Sequence, residues 1–212
     1  MTAFDGWYGR LYDSAVNARK LAPWGGFLLW GADIGRAYEL MARSIECEPG
    51  ELVLDVPTGG GVTFAAGAPN TRGRLIGVDL SRAMLRRAER RRRRARLERR
   101  LDLVQADATR LPLVDACADR VCCFTSIHCL PESLHPGLLS EFRRVLKPGG
   151  KLVGTTLTRD GAGAWNLNVR LARLSGFFTP PSAARLEAQA RAAGFTVWDA
   201  DRRGALLYFR GE

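Results

Sequence analysis

The chain lacks any long apolar run, and this absence argues against a membrane-spanning protein. Its longest apolar stretches, residues 27–30 and 121–124, fall far short of the roughly 20 residues that a transmembrane helix needs. Asp5 and Arg10 interrupt the N-terminal segment, which therefore does not have the pattern of a secretory signal peptide. We expect a protein of the cytoplasm, for which peripheral contact with a membrane surface is an additional option.

Histidine is scarce, and the cysteines do not form a recognisable metal or disulfide pattern. The chain has two His and five Cys, an odd number without any C-x-x-C pair. Cys122 and Cys123 are adjacent on a predicted strand, so their side chains should point to opposite faces. We expect reduced thiols and no metal site. A zinc or arsenic site that uses Cys117, Cys122, Cys123 or Cys129 is the alternative.

Positive charge is concentrated in one segment. The net charge is +10, and residues 86–100, with ten Arg and two Glu, carry +8 of it. A helix with a solvated outer face is the leading interpretation, because arginine stems can cover apolar surface while their charged groups stay in water. Contact with RNA or an anionic membrane is the alternative. Since no aromatic residues are interleaved in the segment, a nucleic-acid partner is not expected.

Strand and helix patterns alternate after about residue 50. Such alternation predicts an α/β fold whose mostly parallel sheet has right-handed crossovers. An antiparallel hairpin ends the chain, and residues 1–50 form a helical extension before a domain at 51–212. The predicted strands are 51–56, 74–78, 101–105, 119–124, 151–156, 195–200 and 205–210. The predicted helices start at Val62 and, after the N-cap Ser81, run to about Arg100; others cover 138–145 and 183–193.

Three aspartates follow three successive predicted strands. Asp55, Asp79 and Asp107 should therefore meet at the carboxyl edge of the sheet, where open α/β folds bind ligands. Glycines at 59–61 permit close backbone approach and offer amide donors at a helix start. An acid twenty residues after Gly59 suits ribose hydroxyls. This ordered set predicts a nucleotide or nucleoside site.

Residues 50–156 resemble the class I S-adenosylmethionine-dependent methyltransferase family, especially its small-molecule branch with the ubiquinone and menaquinone methyltransferases. The matching stretches are Val53–Gly61, Gly77–Ser81, Gln105–Ala108 and, most specifically, Glu141–Leu152. The resemblance implies a three-layer Rossmann-like fold with a seven-stranded sheet and an N-terminal helical lid. It also implies S-adenosylmethionine as the cofactor.

The resemblance assigns the first cofactor contacts to the glycine-rich turn. Asp55 and the backbone at Gly59 and Gly61 would hold the methionine portion, and Asp79 would bind the ribose hydroxyls. Pro57 departs from the family pattern, which usually has glycine there. Because proline lacks an amide hydrogen, one backbone contact is lost at this position.

The resemblance assigns the remaining cofactor contacts to the ends of the next strands. Leu80 and Met84 would flank the adenine, and Asp107 with Ala108 would address its exocyclic amine. Thr125 would lie where the loop after the fourth strand passes beneath the sulfonium.

Two histidines could take part in proton transfer. A sulfonium is already an activated methyl donor, so transfer mainly requires an acceptor held in line. A general base helps only when the acceptor arrives protonated. His128, after the fourth strand, is the candidate base, with packing or loop hydrogen bonding as the alternative. His135, beside Pro136, is expected on the surface in a loop.

Aromatic residues outside the cofactor motifs are candidates for the acceptor pocket. Residues 4–13 resemble the tyrosine-bearing N-terminus that covers the active site in small-molecule members. We predict substrate contacts from Tyr8, Tyr12, Trp24 and Trp165, with ordinary helix packing as the alternative. An apolar wall of this kind favours a small apolar, aromatic or lipid-like acceptor.

Three other functions compete with methyl transfer to a small molecule. An NAD-dependent oxidoreductase would carry G-x-G-x-x-G and no special acid before the glycines, unlike this chain. A non-catalytic regulatory protein that keeps the cofactor fold is favoured only by Pro57. An RNA methyltransferase would use the arginine-rich segment, but Thr125–His128 stands where an Asn-Pro-Pro-Tyr motif is expected. We expect a monomer or a homodimer.

Overall fold

The computed structural model describes residues 34–67, 71–160 and 179–212. The predicted acceptor residues Tyr8, Tyr12, Trp24 and Trp165 lie outside these ranges, as does the part of the predicted lid before residue 34. Within the ranges, no helix has both the length and the apolar character needed to cross a bilayer.

The described residues form seven strands and five α-helices. The strands are β1 (Leu52–Asp55), β2 (Arg74–Asp79), β3 (Leu101–Gln105), β4 (Ala118–Phe124), β5 (Leu146–Leu157), β6 (Trp198–Arg203) and β7 (Leu206–Gly211). The helices are α1 (Ile34–Ile45), α2 (Val62–Gly67), α3 (Arg82–Arg94), α4 (His135–Val145) and α5 (Ala183–Ala192). Short 3-10 turns cover Ile127–Cys129 and Glu132–Leu134.

The sheet is mostly parallel, as the alternation of strands and helices predicts. Its order is β3-β2-β1-β4-β5-β7-β6. The first five strands pair in parallel, and β7 pairs antiparallel with both β5 and β6. The chain direction across the sheet reverses between β1 and β4. In open α/β sheets, the carboxyl ends of the strands at such a switch point form the ligand crevice.

Helices cover both faces of the sheet, which confirms the three-layer α/β fold. On one face, Phe142 of α4 and Leu186 of α5 belong to a buried cluster with Cys123. On the other face, Phe64 of α2 belongs to a cluster with Cys122. The two adjacent cysteines therefore point to opposite faces, as strand geometry requires.

Helix α1 packs on the second of these faces. Ile45 at its end is fully buried in the cluster that also holds Val53 of β1. The end of the predicted extension therefore contributes to the core. The division at residue 50 stays a prediction.

Helix α3 ends six residues before the predicted Arg100. Arg96 adopts a left-handed conformation with φ 56°. Its N–H donates to Arg93 O, and the N–H of the next residue, Leu97, donates to Arg92 O. These are the two bonds of a Schellman motif, which usually has glycine at the left-handed position. Leu97 is buried, so its packing holds this turn even with arginine at that position.

The predicted surface location of His135 is wrong. The residue is the first of α4 and is fully buried. Its Nε2 lies 3.0 Å from Ile127 O and 3.2 Å from Leu130 O. The ring thus satisfies two carbonyls of the loop that follows β4, a long-range requirement that has no local sequence signal.

Two strands also start three or more residues away from the predicted position. β5 begins at Leu146 instead of residue 151, because Leu146 already pairs with Ala118 before a register shift. Gly149, with φ 74°, lies in the irregular stretch between the two registers. β6 begins at Trp198 instead of residue 195, since Phe195 packs in the core before the ladder starts.

Candidate functional site

The turn after β1 is folded back against β2 and α3. The N–H of Thr58 donates to Val78 O at 2.7 Å, and the N–H of Gly61 donates to Thr58 O at 2.9 Å. The peptide bond between Val56 and Pro57 is cis. Gly59 and Gly61 have φ values of 53° and 79°, which favour glycine.

Gly61 has no room for a side chain. A Cβ there would lie 2.8 Å from the Phe64 ring and 3.0 Å from Ala88 Cα. This contact requires glycine at position 61, and the predicted close approach of a ligand to its backbone stays a prediction. The turn therefore lies directly on the inner face of α3.

Asp79 joins the turn to the end of β2. One carboxylate oxygen accepts the N–H of Gly59 and the other accepts the N–H of Ser81, each at 2.8 Å. The Ser81 hydroxyl in turn accepts the N–H of Met84 at 3.2 Å and caps α3. Asp79 therefore lies between the turn and the start of α3, at the position that the resemblance assigns to the ribose hydroxyls.

Asp55 is a buried carboxylate beneath the turn. Its Oδ2 accepts the hydroxyl of Thr58 at 2.8 Å, while the buried Oδ1 has no hydrogen-bond partner among the described residues. Burial raises the pKa of Asp55 to about 7, the hydroxyls of Thr58 and Thr63 oppose the rise, and the charge of Asp79 adds to it. A buried acceptor of this kind suits a ligand that brings a donor or positive charge.

The end of β3 reaches the same edge. Asp107 is exposed, and its Oδ1 accepts both the N–H and the hydroxyl of Thr109 at 2.8 Å. The N–H of Ala106 donates to Asp79 O at 3.2 Å, which joins this loop to the end of β2. Ala108 is buried beside the loop.

The two residues predicted to flank the adenine differ in accessibility. Leu80 is 52% exposed, which is unusual for a large apolar side chain and leaves it available to a planar ligand. Met84 is only 4% exposed, and its sulfur lies 3.5 Å from Arg87 Nη1. Leu80 thus lies at the surface of the crevice, and Met84 lies beneath it.

Thr125 has a strained backbone at the end of β4. Its φ is 49°, a left-handed value that β-branched residues rarely adopt. The conformation is held by a hydrogen bond from its N–H to Thr155 O at 2.7 Å. Strain of this kind is concentrated at functional sites, and Thr125 lies at the switch point of the sheet.

The His128 ring is hydrogen-bonded to the last residues of β5. Its Nδ1 accepts the N–H of Leu157 at 3.1 Å and lies 3.1 Å from the Thr156 hydroxyl oxygen. Burial, together with a smaller contribution from the nearby His135, lowers the pKa of His128 to about 3. Because Nδ1 already accepts a backbone N–H, the geometry favours the packing alternative. The general-base role stays a prediction.

Known proteins resemble this chain in both sequence and fold. A family model described as "Methyltransferase domain" matches residues 53–150. Methyltransferase GfsG of Streptomyces halstedii is 32% identical over 152 residues, which are 72% of this chain and 53% of that protein. Demethylmenaquinone methyltransferase of Bacillus cereus is 33% identical over 113 residues, which are 52% of this chain and 46% of that protein.

The solved structure of the (4+2)-cyclase SpnF is similar with a TM-score of 0.67 and 26% identity, over 82% of this chain and 62% of that chain. Residues 53–150 of the chain belong to the class I S-adenosylmethionine-dependent methyltransferase family. The predicted family is thereby confirmed, and with it S-adenosylmethionine as the cofactor of the fold. The chain spans about half or less of the length of the curated relatives it matches.

The most specific methyltransferase stretch, Glu141–Leu152, has a supporting role in this structure. Arg144 donates to Leu113 O at 2.9 Å and to Leu111 O at 3.2 Å. It also pairs with Glu141 at 2.6 Å and Asp115 at 2.5 Å. Arg144 therefore fixes the loop that follows β3.

Sequence reasoning missed a set of arginines that bind backbone carbonyls. Arg91 Nη1 donates to Gly60 O, and Arg92 Nη1 donates to Leu101 O at 2.7 Å. Arg100 Nη1 donates to Arg72 O. Part of the arginine-rich segment is thus structural. The only sequence signal was helical spacing, which puts Arg91 on the same face as Met84 and Ala88.

No metal centre is seen in residues 34–67, 71–160 and 179–212. There, no group of three or more His, Cys, Asp or Glu side chains is arranged to hold a metal ion. Cys122, Cys123 and Cys129 have pKa values raised by burial, so their thiols stay protonated at neutral pH.

Proposed function

We propose that the protein transfers a methyl group from S-adenosylmethionine to a small apolar, aromatic or lipid-like acceptor. The observation that carries the proposal is the convergence of Asp55, Asp79 and Asp107 on one edge of a parallel sheet, around a glycine turn. Among the described residues, the buried Oδ1 of Asp55 has no donor of its own. Membership in the methyltransferase family supplies the reaction type.

The residues present fit the cofactor. Asp79 would bind the ribose hydroxyls, and Asp55 would face the methionine portion. Leu80 would pack against the adenine, and Asp107 would accept from its amine. The cofactor, when bound, supplies a methyl group already activated on a sulfonium. The fold then needs only to orient the acceptor and exclude water.

Two points support the proposed acceptor class. The predicted contacts from Tyr8, Tyr12, Trp24 and Trp165 would give an aromatic wall. The name of the relative from Bacillus cereus refers to demethylmenaquinone. These two points favour quinones and phenols as the first acceptors to test.

A function without methyl transfer is the second candidate. One structural relative is named a cyclase, so this fold is also found in a protein with a different named activity. Such a protein, or a regulatory one, would bind the cofactor and yield no methylated product. An RNA acceptor, which would use the arginine-rich segment, is a third outcome of the same assay.

The test is cofactor binding by calorimetry followed by methyl transfer from labelled S-adenosylmethionine. The panel contains quinones, phenols, lipids and RNA. Labelled product from a quinone, phenol or lipid is expected. No binding at millimolar cofactor would overturn the proposal, and tight binding with an unlabelled panel would favour the second candidate.

A matched pair of glycine variants ties the binding to the turn. Gly61→Ala places a methyl group against Phe64 and Ala88, and should weaken cofactor binding at least tenfold. Gly149→Ala introduces similar backbone strain, since Gly149 has a φ of 74°, but the new Cβ meets nothing within 4 Å. Gly149 lies in the irregular part of β5, between Leu146 and Lys151. The control should bind the cofactor like the original protein.

A further inference from the structure

The arginines of residues 86–100 divide into two sets by their contacts. Arg86, Arg90 and Arg94 are exposed at four-residue spacing along one side of α3. Arg91 is half-buried on the side that faces the sheet, and its guanidinium reaches the carbonyl of Gly60. Each of these arginines carries one positive charge, but Arg91 lies in different surroundings from the other three.

Arg91 contacts the middle of the glycine-rich turn after β1. Gly60 C=O and Gly61 N–H belong to one peptide group. Arg91 binds the oxygen of that group, and Thr58 O accepts its N–H at 2.9 Å. Both ends of the peptide group are therefore fixed. A glycine peptide without such bonds can rotate into several conformations, because glycine has little steric restriction.

A second contact between α3 and the turn supports the same arrangement. Gly61 packs so close to Ala88 that a Cβ would lie 3.0 Å from Ala88 Cα. Ala88 and Arg91 are three residues apart and share a helix face. Helix α3 thus holds the turn by packing at Gly61 and by a charged hydrogen bond at Gly60.

We propose that Arg91 is a positioning residue for the cofactor: its guanidinium fixes the Gly60–Gly61 peptide in the conformation that receives S-adenosylmethionine. The inference rests on the proposed function, since it concerns the same site. Arg91 acts through the turn, and its effect is on cofactor affinity instead of on the chemistry of the acceptor.

The charge of the cofactor separates positioning from a simple electrostatic effect. At neutral pH, S-adenosylmethionine has a net charge of about +1, and S-adenosylhomocysteine, which lacks the sulfonium charge, about zero. Removal of any nearby arginine should therefore favour S-adenosylmethionine through the electrostatic field alone. Loss of positioning should instead weaken both ligands to a similar extent.

The experiment measures the affinity of both ligands for Arg91→Ala, Arg91→Lys, Arg90→Ala and Arg94→Ala. We expect Arg91→Ala to weaken both ligands about tenfold, the size expected for loss of a hydrogen bond to a charged group. Arg91→Lys, which keeps a charged donor, should recover part of the loss. Arg90→Ala and Arg94→Ala remove the same charge from the exposed side and should bind no more weakly than the original protein.

In steady-state assays, Arg91→Ala should raise the KM for S-adenosylmethionine and change kcat little. Equal affinities of Arg91→Ala and Arg90→Ala for both ligands would overturn the inference. So would a loss confined to one ligand. If Arg91→Ala does not fold, an affinity of Arg91→Lys equal to that of Arg90→Ala overturns it.

Amide hydrogen exchange of the unliganded protein tests the inference without the cofactor. Peptides that cover residues 57–64 should exchange faster in Arg91→Ala than in Arg90→Ala, because the turn loses its restraint. Unchanged exchange would contradict a positioning role. If the original protein binds neither ligand, the proposed function fails, and this exchange difference alone still decides whether Arg91 restrains the turn.

Discussion

The carboxylate of Asp79 accepts the N–H of Gly59 across 2.8 Å, so the end of β2 and the turn after β1 are held as one unit. The other oxygen of Asp79 accepts the N–H of Ser81 and reaches the start of α3. One side chain therefore organises the three segments that border the crevice. Its assigned role toward the ribose would add to this structural role.

Asp79→Asn should reduce both cofactor affinity and stability. An amide group in place of one oxygen sets a donor against the N–H of Gly59 or Ser81. We expect a loss of about 1–3 kcal/mol in the free energy of unfolding and at least a tenfold weaker cofactor. Denaturant unfolding and calorimetry measure the two effects.

The matched control is Asp102→Asn. Asp102 is an acid on β3 whose ion pair with Arg74 is exposed on both sides. Exposed pairs contribute little, so this variant should change stability by less than about 1 kcal/mol and leave cofactor affinity unchanged. Equal effects of the two variants would contradict the role of Asp79.

Asp55 should make stability fall as the pH rises from about 4 to about 7. Burial raises the pKa of Asp55 from 3.8 to about 7, so the folded state keeps a proton that the unfolded state has released. By linkage, the folded state is then disfavoured as pH increases through this window, by an amount on the order of 4 kcal/mol at most. Asp55→Asn, which stays neutral, should remove this slope.

The measurement is the free energy of unfolding against pH for both forms of the protein. The difference between the two curves gives the contribution of Asp55 separately from the contributions of other carboxylates, such as Asp119. For Asp119, burial alone would raise the pKa, but hydrogen bonds from Lys147 and the N–H of Leu52 lower it. Parallel curves for the original protein and Asp55→Asn would contradict the prediction. A positively charged cofactor should also bind more tightly as pH rises through about 7.

Thr125→Asn should stabilise the unliganded protein. The left-handed φ of 49° disfavours a β-branched residue, whereas asparagine tolerates this region better. We expect a gain of about 1 kcal/mol, near the usual cost of a left-handed residue. Thr125→Val keeps the branching and should show no gain. If both variants have equal unfolding free energies, strain at this position contributes nothing measurable.

Much of the fold, and the position of the candidate site at the carboxyl edge of the sheet, could be predicted because the responsible sequence patterns are local. β3 and the first residue of α2 lie where apolar patterning puts them. Asp55 and Asp79 are the last residues of β1 and β2, and Asp107 lies two residues after β3. Parallel strands then bring their carboxyl ends together without further information. The cofactor roles of these residues stay predictions.

The remaining features depend on contacts between residues far apart in sequence. Arg96 ends α3 without glycine because Leu97 is held in the core. His135 is buried because two carbonyls of the loop after β4 need a donor. Arg91 binds Gly60 across 31 positions. Composition and periodicity alone do not distinguish Arg96, His135 or Arg91 from other polar residues.

His128 provides the decisive test between a general base and a structural residue. A base must accept a proton, but Nδ1 already accepts the N–H of Leu157, and the other nitrogen of the neutral ring carries hydrogen. Because burial holds the pKa of His128 at about 3, the ring is neutral in the folded state. As pH falls, the imidazole of the unfolded state takes up a proton first. The contribution of the neutral His128 ring to the free energy of unfolding is therefore complete above about pH 6.5 and is lost as pH falls toward 3.

His128→Asn should retain methyl transfer if the structural role is correct. The asparagine oxygen can replace Nδ1 as the acceptor for Leu157, and kcat should stay within about threefold, less than 1 kcal/mol in barrier. His128→Ala leaves that N–H unpaired and should cost about 1–3 kcal/mol of stability. A hundredfold lower kcat in a stably folded His128→Asn would instead establish the general base, since acid–base catalysis contributes about that much or more.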